Sequence, residues 1–317
     1  MPSQPDYLHN HRDFLDLLRI VAAEQGIAVE LVEKDYWIMH CLYGLQKLGM
    51  KFELKGGTSL SKGYKIIHRF SEDIDIRIDP PADRKVSTNP KQQNDKQVES
   101  RRAFYDWLAT QIEIDGINEV VRDTAFDDPD YYRGGGIRLR YREVAGHAAD
   151  LKEGILLEVG FDDVAPNSAI DISSWAYDYA STKTRLLDNR ALGVACYSPG
   201  YTLVEKLQTI STKYRQQQES GKFPLNFMRH YYDVGALLAV PSVLDFLGTE
   251  AYYDHKKKRF RKGDDHNIVA NPAFVLAEPQ TRKLYETAYD RSASLYYQER
   301  PTLSEILALI ARHADRL

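Results

Sequence analysis

The chain predicts an α+β fold: a mixed β-sheet flanked by helices, followed by a helical C-terminal domain. Three observations carry this reading. Short apolar or alternating runs occur at 52–55, 73–78, 117–122, 137–142 and 155–161. Between them lie longer stretches with the 3.6-residue period of amphipathic helices. From about Tyr201 to Leu317 only the helical pattern remains, with breaks at Pro224, Pro241, Gly263 and Pro279. We therefore expect two domains, 1–195 and 196–317.

The elements follow in order. Residues 7–25 carry Phe14, Leu17, Leu18 and Val21 at helical spacing, and Gly26 ends the run. Residues 29–48 do the same with Leu31, Tyr36, Ile38, Leu42 and Leu45, up to Gly49. Glu33, Lys34 and Asp35 sit inside this second helix, either as surface charge or as supports for a site. A short strand at 52–55, a helix at 58–68 and a strand at 73–78 come next. Leu60, Tyr64, Ile67 and Phe70 are the apolar stripe expected of that helix. The segment 80–96 is polar and punctuated by prolines, which reads as a loop. A helix over 97–114 buries Phe104, Trp107, Leu108 and Ile112, and three strands follow it.

Composition narrows the class. Of 317 residues, 43% are hydrophobic and 28% charged, as in a soluble globular protein. No apolar run is long enough to span a bilayer. The N-terminus lacks the basic-then-apolar order of a secretory signal. Cys41 and Cys196 lie in apolar stretches and read as reduced core thiols, so a cytoplasmic location is expected. Neither has a zinc-site or hydrolase-like setting. The net charge is −4, yet Lys256–Lys262 is a basic run, and Arg133, Arg138, Arg140 and Arg142 cluster around a Gly-Gly-Gly turn. Local fields of this kind guide a polyanion whatever the total charge; the alternative for the lysine run is a solvated helix end or loop.

The chemistry concentrates between residues 54 and 79. On the 73–78 strand Ile74, Ile76 and Ile78 share one face, so Asp73, Asp75 and Arg77 share the other. Two carboxylates that close repel unless a cation lies between them. Mg²⁺, with Mn²⁺ as a substitute, suits an oxygen pair and bridges to substrate phosphates. Upstream, Gly56, Gly57, Thr58 and Ser59 form a turn whose backbone can approach phosphate oxygens, with Lys62 beside it. Each motif alone is weak, and a decorative acidic strand is the alternative. Together they have the layout of a polymerase-β-like nucleotidyltransferase.

Three stretches carry a further likeness: Val32-Glu-Lys-Asp-Tyr-Trp37, Phe52-Glu-Leu-Lys-Gly-Gly-Thr-Ser-Leu-Ser-Lys62 and Arg69-Phe-Ser-Glu-Asp-Ile-Asp75. In these the chain resembles the AbiEii toxins, the nucleotidyltransferases of AbiE-type (MenAT-type) toxin–antitoxin systems. The resemblance is strong over about 29–79 and weaker as far as Asp233. It implies NTP as substrate, an RNA acceptor (the 3′ end of tRNA) and a cognate antitoxin. It also makes Lys34 and Asp35 supports of the site.

Two further parts are expected. Glu158 stands alone in an apolar strand, where a carboxylate is costly without a cation or partner. It is the candidate third metal ligand, or the partner of Arg138 or Arg140. Lys206, one turn into a helix after Pro199-Gly-Tyr-Thr, is the candidate cation for the triphosphate. The resemblance supports it, because the family carries a lysine there and an Arg-x-x-x-Asp later, matched by Arg229–Asp233. The plain readings are a solvent-facing lysine and an Arg229–Asp233 pair on one helix. The leading expectation is a Mg²⁺-dependent nucleotidyltransferase with Asp73, Asp75, Lys206 and Asp233 as its catalytic set. A transferase acting on protein or small-molecule hydroxyls, and a catalytically silent binding module, are the alternatives.

Overall fold

A computed structural model describes residues 5–89, 91–146, 151–224, 226–292 and 296–317. The chain forms two compact units, Met1–Gly63 with Ser71–Tyr197, and Tyr64–Phe70 with Ser198–Leu317. Among the described residues no helix is long and apolar enough to cross a membrane.

The first unit is built on the expected mixed sheet. Its strands are β1 (Phe52–Lys55), β2 (Asp73–Ile78), β3 (Ile117–Arg122), β4 (Gly134–Tyr141), β5 (Ile155–Gly160), β6 (Asn167–Ile172) and β7 (Ala191–Tyr197). They lie in the order β3-β4-β5-β2-β1-β7-β6. β2 sits near the centre, antiparallel to β1 and parallel to β5. Ile74 and Ile76 are fully buried, and burying each such side chain stabilises the unit by about 1.5–3 kcal/mol. Helices α1 (Phe14–Gln25) and α2 (Val29–Lys47) pack together, and α2 also packs on β5 and β7. Gly26 closes α1 with φ +66°, a left-handed conformation that favours glycine.

The helix expected at 58–68 is much shorter. A single turn, α3 (Gly56–Thr58), runs into a π turn over Ser59–Gly63, and there the helix stops. Lys65 takes a left-handed φ of +56°. Arg69 then pairs as an isolated β-bridge with Tyr296. Leu60 is therefore core of the first unit, whereas Ile67 and Phe70 are core of the second. Spacing reported the burial of Leu60, Ile67 and Phe70, but not that Tyr64 is only half-buried or that the stripe divides between the two units.

Other differences have local causes. The helix expected at 97–114 is α4 (Asp95–Gln111), started by a capping box between Asn94 and Gln97. The Gly-Gly-Gly expected as a turn lies inside β4. A Cβ on Gly135 would lie 2.6 Å from the Tyr105 ring of α4, and one on Gly136 would lie 2.8 Å from Phe126 on the opposite face. Close approach on both faces, not a turn, requires these glycines. Helix α5 (Trp175–Ser181) and strands β6 and β7 had no reading in the sequence. β6 is a largely exposed edge strand with no buried alternation to reveal it.

The second unit is helical. Its elements are α6 (Pro199–Ser220), α7 (Arg229–Leu237), α8 (Pro241–Phe246), α9 (Glu250–Arg259), α10 (Pro272–Val275), α11 (Pro279–Asp290) and α12 (Leu303–His313). Four of these begin with proline in the first turn, where its missing N–H costs nothing. α6 packs against α7 and α9, and α7 against α12.

Candidate active site

The carboxylate strand alternates as expected. Asp73 is 8% exposed, Asp75 half-buried, and the three isoleucines between and beyond them are buried. The register sets Lys55 of β1 and Glu158 of β5 on either side of Asp75. Residues directly opposite in a sheet share a face, so Asp73, Asp75 and Glu158 do so.

The glycine turn is fastened to that strand at two points. A Cβ on Gly56 would lie 1.9 Å from Oδ2 of Asp75, and Gly56 has φ +70°. Only glycine tolerates both conditions. The Thr58 hydroxyl donates to the carbonyl oxygen of Asp73. Gly57 and Ser59 are buried. Gly63 lies against Cys196, whose Sγ would be 2.9 Å from a Cβ at 63. Burial pushes the Cys196 thiol up to about 11 and raises Cys41 further, so both remain inert thiols as expected.

The three consecutive charges of α2 are all buried, and each ties down a different segment. The Glu33 carboxylate accepts from the Val144 and Ala145 N–H groups, both at 2.9 Å. Lys34 lies 3.1 Å from Glu72 and donates to the carbonyl of Lys152. Asp35 is fully buried; Lys62 sits 2.6 Å from its Oδ1, and the Trp175 N–H donates to its Oδ2 at 2.9 Å. Burial raises the pKa of Asp35 and lowers that of Lys34, with their ionic partners opposing each shift. These are supporting roles for Lys34 and Asp35. They also give Lys62, placed among the nucleotide-binding candidates, an anionic partner within the protein.

Lys152 was not read in the sequence. Its ammonium lies 2.6 Å from Asp73 Oδ2, and its backbone N–H donates to Glu72 at 2.8 Å. Lys152 carries no spacing signal, because it comes from a loop and reaches Asp73 only through the fold. The other oxygen of Asp73, Oδ1, is buried and has no hydrogen-bond partner among the described residues. An orphaned carboxylate oxygen beside a second carboxylate is what a hard cation requires, so the Asp73–Asp75 pair fits Mg²⁺. Among the described residues no three or more His, Cys, Asp or Glu side chains are already gathered around a common point. Glu158 is thus a neighbour of the pair by register. The arginines offered as its partners extend to other acids: Arg138 to Asp123 at 2.5 Å and Arg140 to Glu119 at 2.7 Å.

In the second unit Asp233 is fully buried and held by two cations. Arg69 grips it bidentately at 2.7 and 2.8 Å, and Lys206 lies 3.0 Å away. Burial alone would raise its pKa, but Arg69 and Lys206 outweigh it and hold the carboxyl well below the usual range. The spacing of Arg229 suggested a nearby partner, whereas Arg69 comes from 164 positions away. Lys206 is half-buried and tethered, so it is not a solvated surface lysine. Main-chain bonds complete this setting: the His68 N–H donates to the Tyr232 hydroxyl at 2.9 Å, and the Tyr297 N–H to the His68 carbonyl at 3.2 Å.

The basic run is not uniform. Lys256 is buried and donates to the Leu317 carbonyl, while Lys257, Lys258, Arg261 and Lys262 are exposed. Of the arginines around the glycine run, Arg133 is paired with Asp128 at 2.8 Å, like Arg138 and Arg140 with their acids.

Comparison with known proteins gave one family model, described as nucleotidyl transferase AbiEii toxin, type IV toxin–antitoxin system, which matches residues 37–310. The curated proteins gave no match. Among solved structures, the "antigenic nucleotidyltransferase-like protein from Paracoccidioides brasiliensis" aligns with 80% of this chain and 92% of its own. The two are 12% identical, with a TM-score of 0.36.

Proposed function

The chain belongs to the AbiEii nucleotidyl transferase toxin family of type IV toxin–antitoxin systems and is a nucleotidyltransferase, and we propose that it transfers nucleotides from NTP to an RNA hydroxyl in a Mg²⁺-dependent reaction. Membership of this family implies a nucleotide substrate and a cognate antitoxin. The observation that carries the metal and nucleotide assignment is the Gly56–Asp75 packing beside the orphaned Oδ1 of Asp73. It sets a close-approach backbone next to a carboxylate pair in which the buried Oδ1 of Asp73 accepts no hydrogen bond from the described residues.

Asp73 and Asp75 would hold the metal, with Glu158 as its third ligand. Bound there, the ion would draw charge from the phosphoryl oxygens and acidify the attacking hydroxyl. The chain's own residues have separable tasks. Gly56 and Gly57 let the triphosphate approach the backbone, and Thr58 fixes the turn to the strand. Lys62 and Asp35 hold the far end of that turn. Within the second unit Arg69 fixes Asp233 and Asp233 positions Lys206, the residue we assign to neutralising phosphate charge.

The RNA acceptor, and the 3′ end of tRNA within it, rests on the family resemblance. The test is incubation with each α-labelled NTP, Mg²⁺ and total RNA. Label entering tRNA is expected. Label on protein alone would transfer the reading to a protein hydroxyl, and no label on any acceptor would indicate a silent binding module.

A further inference from the structure

Lys152 makes two kinds of contact with the carboxylate strand, and they have different owners. Its backbone is clamped: the N–H donates to Glu72 Oε2 at 2.8 Å, and the carbonyl accepts from Lys34. Lys34 and Glu72 form an ion pair of their own, 3.1 Å apart and almost wholly buried. The side chain is separate from that clamp. It lies across the Phe126 ring, 5.2 Å from its centroid, and ends 2.6 Å from Asp73 Oδ2. It is 27% exposed, so its ammonium stands at the edge of solvent. A buried anchor therefore positions a four-carbon arm with free torsions, and the arm alone carries the cation to Asp73.

That cation holds one oxygen of the carboxylate to which a divalent ion is assigned. A carboxylate pair without metal needs a counter-charge, and Lys152 supplies one to Asp73 while Oδ1 of the same group has no hydrogen-bond partner among the described residues. An ammonium and a divalent cation on one carboxylate repel each other strongly at such distances. The metal would bring a triphosphate with it, a dense anion for the displaced ammonium.

Resting on the reading of Asp73 and Asp75 as the metal pair, we propose that Lys152 is an exchangeable counter-cation: it neutralises Asp73 in the metal-free protein, gives up that carboxylate to the metal, and binds the phosphates of the incoming NTP. The buried Lys34–Glu72 pair holds the base of the arm in place during the exchange. No covalent step is involved.

The test is Mn²⁺ titration by calorimetry without nucleotide, followed by binding of a non-hydrolysable NTP analogue at saturating Mn²⁺. Wild type, Lys152→Gln, Lys152→Arg and Asp75→Asn are compared. Because the backbone clamp does not use the side chain, Lys152→Gln should keep its fold and its melting temperature. It is expected to bind Mn²⁺ about five- to tenfold more tightly and the analogue about five- to tenfold more weakly, the range of an ordinary coupling between two sites. Lys152→Arg should stay near wild type in both. Unchanged or weaker Mn²⁺ binding by Lys152→Gln overturns the proposal, as does unchanged analogue binding. A large fall in melting temperature without a gain in Mn²⁺ affinity also overturns it and makes Lys152 a structural ion-pair partner. If Asp75→Asn binds Mn²⁺ as well as wild type, the metal-pair reading itself fails and the proposal falls with it.

Discussion

The carboxylate of Asp75 occupies the space in which a side chain on Gly56 would begin, with its Oδ2 1.9 Å from the position of a Cβ there. Turn and strand are thereby locked in one relative position. A methyl group at 56 would push the carboxylate away and place a non-glycine residue at φ +70°. Gly56→Ala is expected to lower stability by roughly 1–3 kcal/mol and to cut nucleotide transfer at least tenfold, as an order of magnitude. Thermal denaturation and a labelled-NTP assay check it; full activity with a normal melting temperature would dissolve the link between turn and strand.

Asp73→Asn and Asp75→Asn separate chemistry from stability. Each keeps the shape of the side chain and removes one metal-binding charge. Transfer should fall by roughly 10²-fold or more in both. Asp73→Asn also loses the attraction to Lys152, a partly solvent-screened pair worth about 1 kcal/mol or less, so its melting temperature should change little. Activity close to wild type in either variant removes the metal assignment.

Lys206 and Asp233 should behave differently from one another, which the sequence did not suggest. Lys206→Ala leaves Asp233 paired with Arg69, so the second unit should stay folded while turnover drops strongly. Asp233→Ala strips the buried Arg69 of its carboxylate and should cost about 3–5 kcal/mol in addition. The double variant should cost less activity than the sum of the two. Lys213 is a poor control on the same helix, since burial and the nearby Arg229 and Lys206 lower it to about 8; exposed Lys257 is the better one. Equal, small losses in Lys206→Ala and Lys257→Ala would make Lys206 an ordinary helix lysine.

His40 predicts acid sensitivity in the first unit. Its Nε2 lies 2.9 Å from the Asp115 carbonyl and its Nδ1 2.8 Å from the Asn189 amide nitrogen. That environment suits the neutral ring, because a second ring N–H would point at an amide donor. Burial, then the neighbouring His9, depresses its pKa from 6.5 to about 4. For a base depressed on folding, the unfolded chain binds the proton first. Stability is therefore full above about pH 6.5 and declines as pH falls to about 4, by up to about 3 kcal/mol. His40→Gln should flatten that decline in a pH series of urea melts. Asp233 acts lower: its depressed carboxyl stabilises the second unit above about pH 4, and that contribution fades on further acidification.

An RNA acceptor requires basic residues that follow its backbone. Lys256 is excluded by its burial, and half-buried Arg259 lies 3.4 Å from Glu205, leaving Lys257, Lys258, Arg261 and Lys262 as the exposed cations of the run. Replacing these four with Ala should weaken RNA binding and flatten its salt dependence by about one unit of slope for each phosphate no longer neutralised. NTP binding should not change. An identical salt slope would take this run out of the RNA interface.

Much of the site is local and was therefore legible. Asp73 and Asp75 follow from the two-residue period of one strand, and Gly56 through Ser59 from a turn that needs glycine. The charge triad Glu33-Lys34-Asp35 was half-legible. Three charges interrupting an apolar helix signal burial with partners, but the partners Val144, Glu72 and Lys62 come from separate segments. Lys152 and Arg69 left no trace in spacing. An ion pair between distant segments depends on where the chain returns, and periodicity carries no information about that.

By itself the sequence determined the strand that bears the carboxylates, the glycine turn before it, the mixed sheet and the helical C-terminal region. Each arises from hydrophobic period or backbone steric limits acting within a few residues. Only the tertiary structure decided that residues 64–70 leave the first unit for the second, and that Asp233 answers to Arg69 and Lys206. It alone set Lys152 on Asp73. Those outcomes depend on long-range packing, where a buried charge must find its counter-charge wherever the fold delivers one.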